Sequence, residues 1–514
     1  MTDDDTTTDA SEASTGSGDT SGADAGHTDE TDAVGGEGVV RRERFSGGPA
    51  RAFLSSLSAD ERIFAADLAV DRAHVVMLAE QGVLDDGDAA AILGALADIE
   101  AAGHGALPAG EDVHEAIETA VVERVGAAGG RMHTARSRND EVATCIRYRL
   151  REDLLALLST LVEGRKRLLA SAAEHTETVM PGYTHLQPAQ PTTAAHWLCS
   201  YESALARDTA RLLDAYDRVS RSPLGAAAFA GTPFDIDRER TAALLGFDGP
   251  VENAMDAVSA RDFLVETTAA VSGLGLTLSG LAEDAVLFAH RGFLDLDDDY
   301  ASTSSIMPQK KNPDTLELVR GRTGDVVAGL SGLLTTLLGL PRAYNRDLQR
   351  AGRHAWDALD SVTASTGVAG RAGTTATRGG GALAGGAEAG FATATGVADL
   401  LARSGVPFRT AHEVVALAGE AESPDTAALA AATREVLGES LWDHVDREAV
   451  ERALDPAESV ASRDSRGGPA PTTVTAHLDR ARDRLAGDRT ALTDREDSLA
   501  TAREQLDREV SGYL

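Results

Sequence analysis

The sequence predicts an all-α fold organised around a central bundle of long helices. Hydrophobic residues make up 42% of the chain but aromatic residues only 4%, and the abundance of Ala and Leu favours helices packed closely through small side chains. Between Val142 and Leu340 the apolar residues recur at three- and four-residue spacing, as in Val142, Ile146, Leu150, Leu154, Leu157, Leu161 and in Trp197, Tyr201, Leu205, Leu212, Tyr216. Two uncharged stretches, Thr267 to Ala282 and Val326 to Pro341, are apolar nearly all round but interrupted by Gly, Ser or Thr. They fall short of the roughly 20 apolar residues a membrane span needs. They read as helices surrounded by other helices, in a large bundle or at its oligomer interface.

At 514 residues the chain exceeds what one core usually supports, so several domains are expected. Residues 1–38 hold eleven acidic side chains and no Lys or Arg, among Thr, Ser, Gly and Ala. Such a segment cannot bury enough apolar surface to order itself and is expected to be a disordered acidic tail. It lacks a basic region followed by an apolar run, so it does not read as a secretory signal. Residues 39–135 are expected to form an N-terminal helical domain, because Ile63, Phe64, Leu68 and then Val113, Ile117, Val121, Val125 each fall on one helical face. Residues 136–385 form the central bundle domain. The Gly-rich piece from Arg378 to Gly390 separates it from a smaller C-terminal helical domain, 386–514, patterned around Val397, Leu400, Leu401 and Val414, Leu417.

The formal charge is −34, from 82 acidic against 48 basic residues. A field of that sign repels phosphate backbones and anionic lipid, so neither nucleic acid nor a membrane is an expected partner. Lysine occurs only at Lys166, Lys310 and Lys311, while arginine supplies the remaining positive charge. An acidic, lysine-poor surface of this kind looks adapted to high salt. Cys145 and Cys199 have no CxxC spacing and no third partner, which fits two buried free thiols in a reducing cytoplasm better than a disulfide or a metal site.

Four polar segments stand out against the helical background. The run Ser304-Ser305-Ile306-Met307-Pro308-Gln309-Lys310-Lys311-Asn312-Pro313 is polar, broken by two prolines, and feeds a helix expected to start near Asp314. A solvated surface loop is the ordinary reading of such a run. Here a chain that has almost abandoned lysine keeps two of its three side by side, and lysine offers a compact point charge where arginine offers a fork. A specific carboxylate contact accounts for that choice. The second segment, Pro181-Gly182-Tyr183-Thr184-His185-Leu186-Gln187-Pro188, is a punctuated turn whose histidine is either a proton donor or merely hydrogen-bonded in place. The third, Arg136-Ser137-Arg138-Asn139-Asp140, opens a long helix and is equally an N-terminal cap or a carboxylate-binding cluster. The fourth, Tyr344-Asn345-Arg346-Asp347-Leu348-Gln349, reads as a loop on its own evidence.

Taken together, these segments resemble the fumarase/aspartase superfamily and, within it, the argininosuccinate branch. The Gln309-Lys310-Lys311-Asn312 form of the serine loop is that branch's. So are His133-Thr134 through Asp140, Tyr183 through Gln187, Asp235-Ile236-Asp237-Arg238, Asp256-Ala257-Val258-Ser259, Tyr344 through Gln349, and Phe391 through Thr395 with Gly405 through Arg409. The likeness runs in order from about Val39 to Leu514; several long matches in order are more specific than any one motif.

The resemblance implies a fold of three helical domains, whose central bundles join into a multi-helix core in a homotetramer with active sites shared between subunits. It implies reversible anti β-elimination of argininosuccinate to L-arginine and fumarate, the last step of arginine biosynthesis, with no metal and no organic cofactor. Ser304 takes the carbon-bound proton, Lys310 and Asn312 hold the carboxylate whose charge grows, His185 serves the departing guanidino nitrogen, and Glu317 fixes its imidazole. Arg138, Asn139 and Thr184 position the succinate carboxylates, Tyr344 and Gln349 the arginine part, and Ser56 is a further substrate contact. Four positions depart from the pattern: Thr303 stands where relatives usually have Gly, Gly352 where they often have Lys, with Arg350 and Arg353 beside it, and Ala254 and Ala260 replace polar residues. Adenylosuccinate lyase, fumarase and aspartase share the serine loop but not the 136–140 and 344–349 segments. A catalytically silent, crystallin-like structural oligomer is the alternative from another class; retention of His185, Ser304, Lys310 and Glu317 argues against it.

The charge balance yields a first prediction. Self-repulsion is screened in molar salt, where the Debye length is about 3 Å, and is unscreened at millimolar salt. The protein should therefore lose helical circular dichroism on dialysis from molar to millimolar salt; an unchanged spectrum contradicts the salt-adapted reading.

Overall fold

The computed structural model describes residues 49–514. The expected acidic tail, and the start of the segment expected to form the N-terminal domain, lie outside the described residues. The chain is helical, with short antiparallel strand pairs at its turns.

After a short helix, Pro49–Leu54, and a 3-10 turn, Ala59–Ile63, come three longer helices: α1 (Phe64–Glu80), α2 (Asp86–Ala102) and α3 (Val113–Val125). Asp85 and Asp112 cap the second and third by accepting the N–H groups of Asp88 and Glu115, satisfying donors that have no partner inside the helix. Leu68, Ile92, Leu96, Ile117 and Val121 meet in one buried core.

The bundle begins with α4 (Arg138–Ala173), 36 residues long and hence roughly 54 Å at about 1.5 Å per residue. Ser137 and Asp140 form a capping box at its start. A hairpin of β1 (Val179–Thr184) and β2 (Gln187–Thr193) turns the chain into α5 (Ala194–Val219). The bundle continues through α6 (Asp262–His290), α7 (Asp314–Leu337) and α8 (Leu348–Thr375). Between α6 and α7 a second pair, β3 (Ser302–Thr303) and β4 (Lys311–Asn312), closes the serine loop. Side-chain contacts fix the directions. Arg147 reaches the Val219 carbonyl while Arg165 reaches Glu202, so α4 and α5 are antiparallel. Trp197 meets Asp284 while Arg218 meets Glu266, and Thr323 meets the Gly275 carbonyl, which reverses direction at α6 and again at α7. At Gly329 an added Cβ would stand 2.8 Å from the His354 carbonyl oxygen, so the approach of α7 to α8 requires glycine there.

By length and composition α6 could cross a membrane. In this fold it lies between α5, α7 and α8, and its Phe263, Leu264, Leu274 and Leu278 are buried in the central core with Leu150, Leu154, Leu333 and Leu359.

The Gly-rich piece expected to separate two domains instead folds as a helix. Thr377–Arg378 pairs with Leu294–Asp295, and α9 (Gly380–Glu388) follows, with Leu383 buried against Met180 and Phe293. At Gly386 a Cβ would sit 2.9 Å from the Phe293 ring and 3.0 Å from Pro181. The glycine here serves close packing as well as chain freedom. A third core of Val397, Leu401, Val414, Leu429 and Leu441 gathers α10 (Ala394–Arg403), α11 (Phe408–Ala418) and α12 (Thr426–Leu437). The last helix, α13 (Pro471–Tyr513), is 43 residues long, roughly 65 Å. It packs along α4 and α5 and inserts Leu506 and Val510 into the first core.

Arg165 ties these long helices together. Fully buried, it donates to Glu202 at 2.9 and 3.2 Å, to the Thr209 hydroxyl at 3.0 Å and to Asp488 of α13 at 2.6 Å. Removing one member of such a group leaves an uncompensated buried charge, typically about 3–5 kcal/mol. Arg165→Met should lower the thermal midpoint clearly, and the Arg165→Met/Glu202→Leu double variant should recover most of the loss in thermal scans at fixed salt.

Candidate active site

Where α4, α6 and α8 begin, a cleft of about 640 Å³ opens at the lower end of the bundle. It gathers five of the expected residues, Ser56, Arg138, Asn139, Tyr344 and Gln349, brought from far apart in sequence. Ser56 donates from Oγ to Asp60 at 2.7 Å, so the lone pairs of its oxygen remain for a donor in the cleft. Burial raises the pKa of Asp60, partly offset by His114 and by that hydroxyl. Arg138 pairs with Asp112 at 3.4 Å, Asn139 donates to the Ala228 carbonyl at 3.0 Å, and Gln349 donates to the Leu54 carbonyl at 3.1 Å. Tyr344 is half-buried, and desolvation holds its phenol neutral by raising its pKa.

The cap reading of the 136–140 segment holds for Ser137 and Asp140, and Arg138 and Asn139 stand apart from it. Ser137 and Asp140 cap α4, and the second carboxylate oxygen of Asp140 accepts the N–H groups of Gly225 and Ala227 at 2.9 and 2.8 Å. Arg138 and Asn139 face the cleft. Arg136 turns inward, bonding Asp71 at 2.5 Å and Glu141 at 3.0 Å. With His114, 2.8 Å from Asp67, these groups form a buried ion network under the cleft floor. Two trios that share Asp67 have donor atoms close enough together to hold a metal: Asp67, His114 and Cys145, and Asp67, Asp71 and Glu141. The Arg136 guanidinium and the His114 imidazole already stand among these three carboxylates, and burial raises the pKa of Glu141 well above its ordinary value.

The remaining expected residues lie elsewhere. Thr184 and His185 are exposed at the tip of the β1–β2 hairpin, beyond the end of α4 opposite to Arg138. His185 and Leu186 both have positive φ, 55° and 58°, the geometry of a tight hairpin turn that usually calls on Asn or Gly. Ala135, Ala227 and Ala343 are also left-handed, at 62°, 51° and 67°. Four of the six described non-glycine residues in this conformation thus flank or form the candidate segments, and Ala227 bonds Asp140 of one of them; such strain persists only where surrounding structure imposes it.

Ser304, Lys310, Asn312 and Glu317 sit at the start of α7, with Tyr344 and Gln349 beyond its other end. The helix is 24 residues, roughly 36 Å. Ser304 Oγ accepts the backbone N–H groups of Ile306 and Met307 at 3.3 and 3.1 Å, and its own N–H donates to the Lys310 carbonyl at 3.3 Å. Lys311 is held by Asp295 and Asp298 at 3.1 and 2.8 Å, whereas Lys310 makes no ion pair among the described residues. The third lysine, Lys166, makes an ordinary surface pair with Glu163 at 3.4 Å. Thr303 lies in β3 opposite Lys311, an extended position that suits a β-branched residue. Within one chain no hydrogen bond joins His185 to Glu317 among the described residues; Glu317 lies 3.9 Å from Arg320. Gly352 lines the cleft with Arg350 and Arg353, and the indole nitrogen of Trp356 stands 3.2 Å from where its Cβ would be.

A family model described as Lyase matches residues 51–328, and one described as Argininosuccinate lyase C-terminal matches residues 391–461. The argininosuccinate lyase of Haloarcula marismortui is 68% identical over 483 residues, covering 93% of this chain and 97% of that one. That of Natronomonas pharaonis is 69% identical over 482 residues, covering 94% and 98%. The chain belongs to the argininosuccinate lyase family. Among solved structures, an EDDS lyase in complex with formate superposes with TM-score 0.81 at 32% identity, over 91% of this chain and 96% of that one. A class II fumarase from Schistosoma mansoni matches at TM-score 0.66 and 15% identity, over 77% and 90%, a likeness of fold.

Asp60, His114, Arg261 and Arg346 also line the cleft and were not expected there. Arg346 lies inside the Tyr344 to Gln349 segment singled out above, but nothing in sequence shows which neighbours it or Asp60 meets. For His114, burial disfavours the charged imidazole, yet Asp67 and Glu141 outweigh it and raise its pKa from 6.5 to about 10. A pKa raised on folding adds stability that is complete below the unfolded value and lost as pH climbs through the folded one. His114→Gln should therefore destabilise by a few kcal/mol, on the order of the shift, at pH 6 and progressively less toward pH 10. Denaturant titrations across that range check it; a pH-independent loss contradicts the ion pair.

Proposed function

We propose that this chain splits argininosuccinate into L-arginine and fumarate by reversible anti β-elimination, the last step of arginine biosynthesis, in the cytoplasm and with no metal or organic cofactor. The observation that carries the chemistry is the environment of Ser304. Elimination needs a base for a carbon-bound proton beside a carboxylate, and a serine hydroxyl is a weak base at its free pKa. Two backbone N–H groups converge on its Oγ, and such fixed donors stabilise an alkoxide. Lys310, with no acid partner among the described residues, and Asn312 beside it are then available to hold the carboxylate as its charge grows. Near full-length identity to argininosuccinate lyases supports the choice of substrate within this chemistry.

As Ser304 takes the proton, the electron pair of the C–H bond forms the new double bond and the C–N bond breaks toward the guanidino nitrogen. His185 donates a proton to that nitrogen, with Glu317 favouring and orienting the imidazolium. Arg138, Asn139 and Thr184 place the succinate carboxylates; Tyr344, Gln349 and Ser56 take the arginine half. A bundle as long as this one separates the cleft from the serine loop in each chain, so the complete site is shared between chains of a homotetramer. An exposed apolar face supports that assembly: Leu318, Val327, Leu334 and Leu338 of α7 and Leu276 of α6 are uncovered in the single chain.

Purified protein should release fumarate from argininosuccinate in molar salt, read by ultraviolet absorbance; none from a verified tetramer defeats the reading. Ser304→Ala should lower kcat by about 10²–10⁴-fold while leaving KM and assembly near normal. Ser304→Ala and Gln349→Ala, each inactive alone, should regain part of the activity when unfolded and refolded together. Failure of the mixture to recover, with each variant tetrameric, argues against shared sites.

A further inference from the structure

A second cavity, of about 460 Å³, lies in the groove between α5 and α13 and shares no residue with the cleft. Arg207 comes to it from α5, Arg466 from the segment before α13, and His477, Arg480 and Arg484 from α13; no Asp or Glu lines it. Acidic residues outnumber basic ones 82 to 48 in this chain, so four guanidinium groups in a groove that no acid lines run against the composition. Helix geometry produces the separation. His477, Arg480 and Arg484 stand at i, i+3 and i+7 on one face of α13, while Asp479 and Asp483 fall beside that face. Asp479 turns to Arg482 at 3.1 Å.

Arg207, Arg466 and Arg480 have no carboxylate partner among the described residues. Arg207 donates to the Ser203 carbonyl of its own helix at 2.9 Å. Arg484 has Glu202 at 3.6 Å, a carboxylate already bound by Arg165 at 2.9 Å. Across the groove, His477 Nε2 lies 3.2 Å from the Ser203 hydroxyl. Burial lowers the pKa of His477, and Arg484 and Arg480 add to that effect, so the imidazole stays neutral and the positive charge rests on the arginines. Like charges around one cavity repel, and an anion between them removes the repulsion. Guanidinium forks match oxyanions bidentately, and the volume lies within the range of about 300–1,000 Å³ common to small-molecule sites.

We propose that the groove between α5 and α13 binds an extended multivalent phosphate, of the di- or triphosphate class. The spacing of the cations selects an extended ligand. Along α13, His477 and Arg484 are roughly 10 Å apart at about 1.5 Å per residue, and Arg466 joins at the His477 end, where its neighbour Gly467 also lines the groove. A compact anion meets one or two of these forks, whereas a chain of linked phosphates meets them together. The acidic surface elsewhere scarcely opposes its approach in molar salt, where the Debye length is about 3 Å. The uncovered apolar face lies on α6 and α7, neither of which lines the groove, so the tetramer proposed above does not draw on it. The groove also adjoins the hairpin that carries Thr184 and His185. His196 Nε2 donates to the Gly467 carbonyl at 3.0 Å, and Nδ1 of the same ring lies 2.8 Å from Thr192 Oγ1 in β2. A phosphate chain held by Arg466 therefore braces the segment against which that hairpin rests.

The test is calorimetric titration of the full chain with orthophosphate, pyrophosphate and tripolyphosphate in molar potassium chloride, with thermal scans beside it. Tripolyphosphate should bind saturably, at least about 10-fold more tightly than orthophosphate, the gain expected of one further charge-assisted contact, and the thermal midpoint should climb with its concentration. Arg207→Gln, Arg466→Gln and Arg480→Gln each remove an exposed side chain with no carboxylate partner among the described residues, so each should keep the wild-type circular dichroism. Each should weaken tripolyphosphate at least about threefold, and the triple variant at least about 30-fold. Arg434→Gln, which removes an exposed arginine of α12 outside the groove, should leave the affinity unchanged. Tripolyphosphate whose affinity the three groove variants do not alter is bound elsewhere and overturns the inference. So does wild-type protein without saturable binding, or with equal affinity for orthophosphate and tripolyphosphate. Weakening by Arg434→Gln as great as by the groove variants also overturns it, because it marks a response to net charge alone.

Discussion

The length of the bundle helices is the constraint on which the rest depends. With α4 at 36 residues and α7 at 24, each roughly a domain diameter or more, what lies at one end of the bundle cannot reach the other. The antiparallel course sends Arg138, Arg261 and Gln349 to the lower end and Ser304 and His185 to the upper one. The cleft and the serine loop therefore lie at opposite ends of one chain. A rigid rod of this kind is a poor scaffold for a self-contained site and a good one for a site made between chains, because each end can be fixed independently and then brought to a neighbour.

Rigidity at each end comes from charge placed where water cannot reach. Arg165 with Glu202 and Asp488 joins α4, α5 and α13; Arg136 and His114 with Asp67, Asp71 and Glu141 underlie the cleft. Buried ion groups add less net stability than apolar packing of the same volume, but they penalise any helix register that separates their members. The left-handed residues flanking the site have the same dependence. Ala135, Ala227 and Ala343 hold an unfavourable φ, and the Asp140 carboxylate that bonds the Gly225 and Ala227 N–H groups shows how one of these loops is held.

The helices were legible because burial falls on one stripe: Leu150, Leu154, Leu157 and Leu161, read from spacing, are all buried in the central core. The serine loop and the histidine turn were legible as polar text between apolar helices. What spacing could not show was partnership across the fold. Arg261 is followed by an ordinary helix, and its lack of a carboxylate is visible only when every neighbour is placed. The Gly-rich segment after Arg378 suggested a separator because glycine weakens helices. It folds as α9 because Gly386 admits the Phe293 ring and Pro181, a tertiary gain that outweighs the propensity. The strained alanines left no trace either, since no glycine marks them.

A chain of charge −34 that acts on a substrate with three carboxylates faces long-range repulsion from its own surface. So acidic a surface and catalysis on an anion are compatible in high salt because the two act over different distances. At molar salt the Debye length is about 3 Å, so the acidic surface scarcely opposes the approach of an anion, while contacts inside a desolvated cleft are screened far less. Specific cations at contact range then decide binding. That accounts for where positive charge is left uncommitted: Lys311 is held by Asp295 and Asp298 and Lys166 by Glu163, whereas Lys310 beside Ser304 and Arg261 in the cleft have no carboxylate partner among the described residues. An uncommitted cation such as Lys310 therefore acts on an anion at contact range, where the surface field is screened.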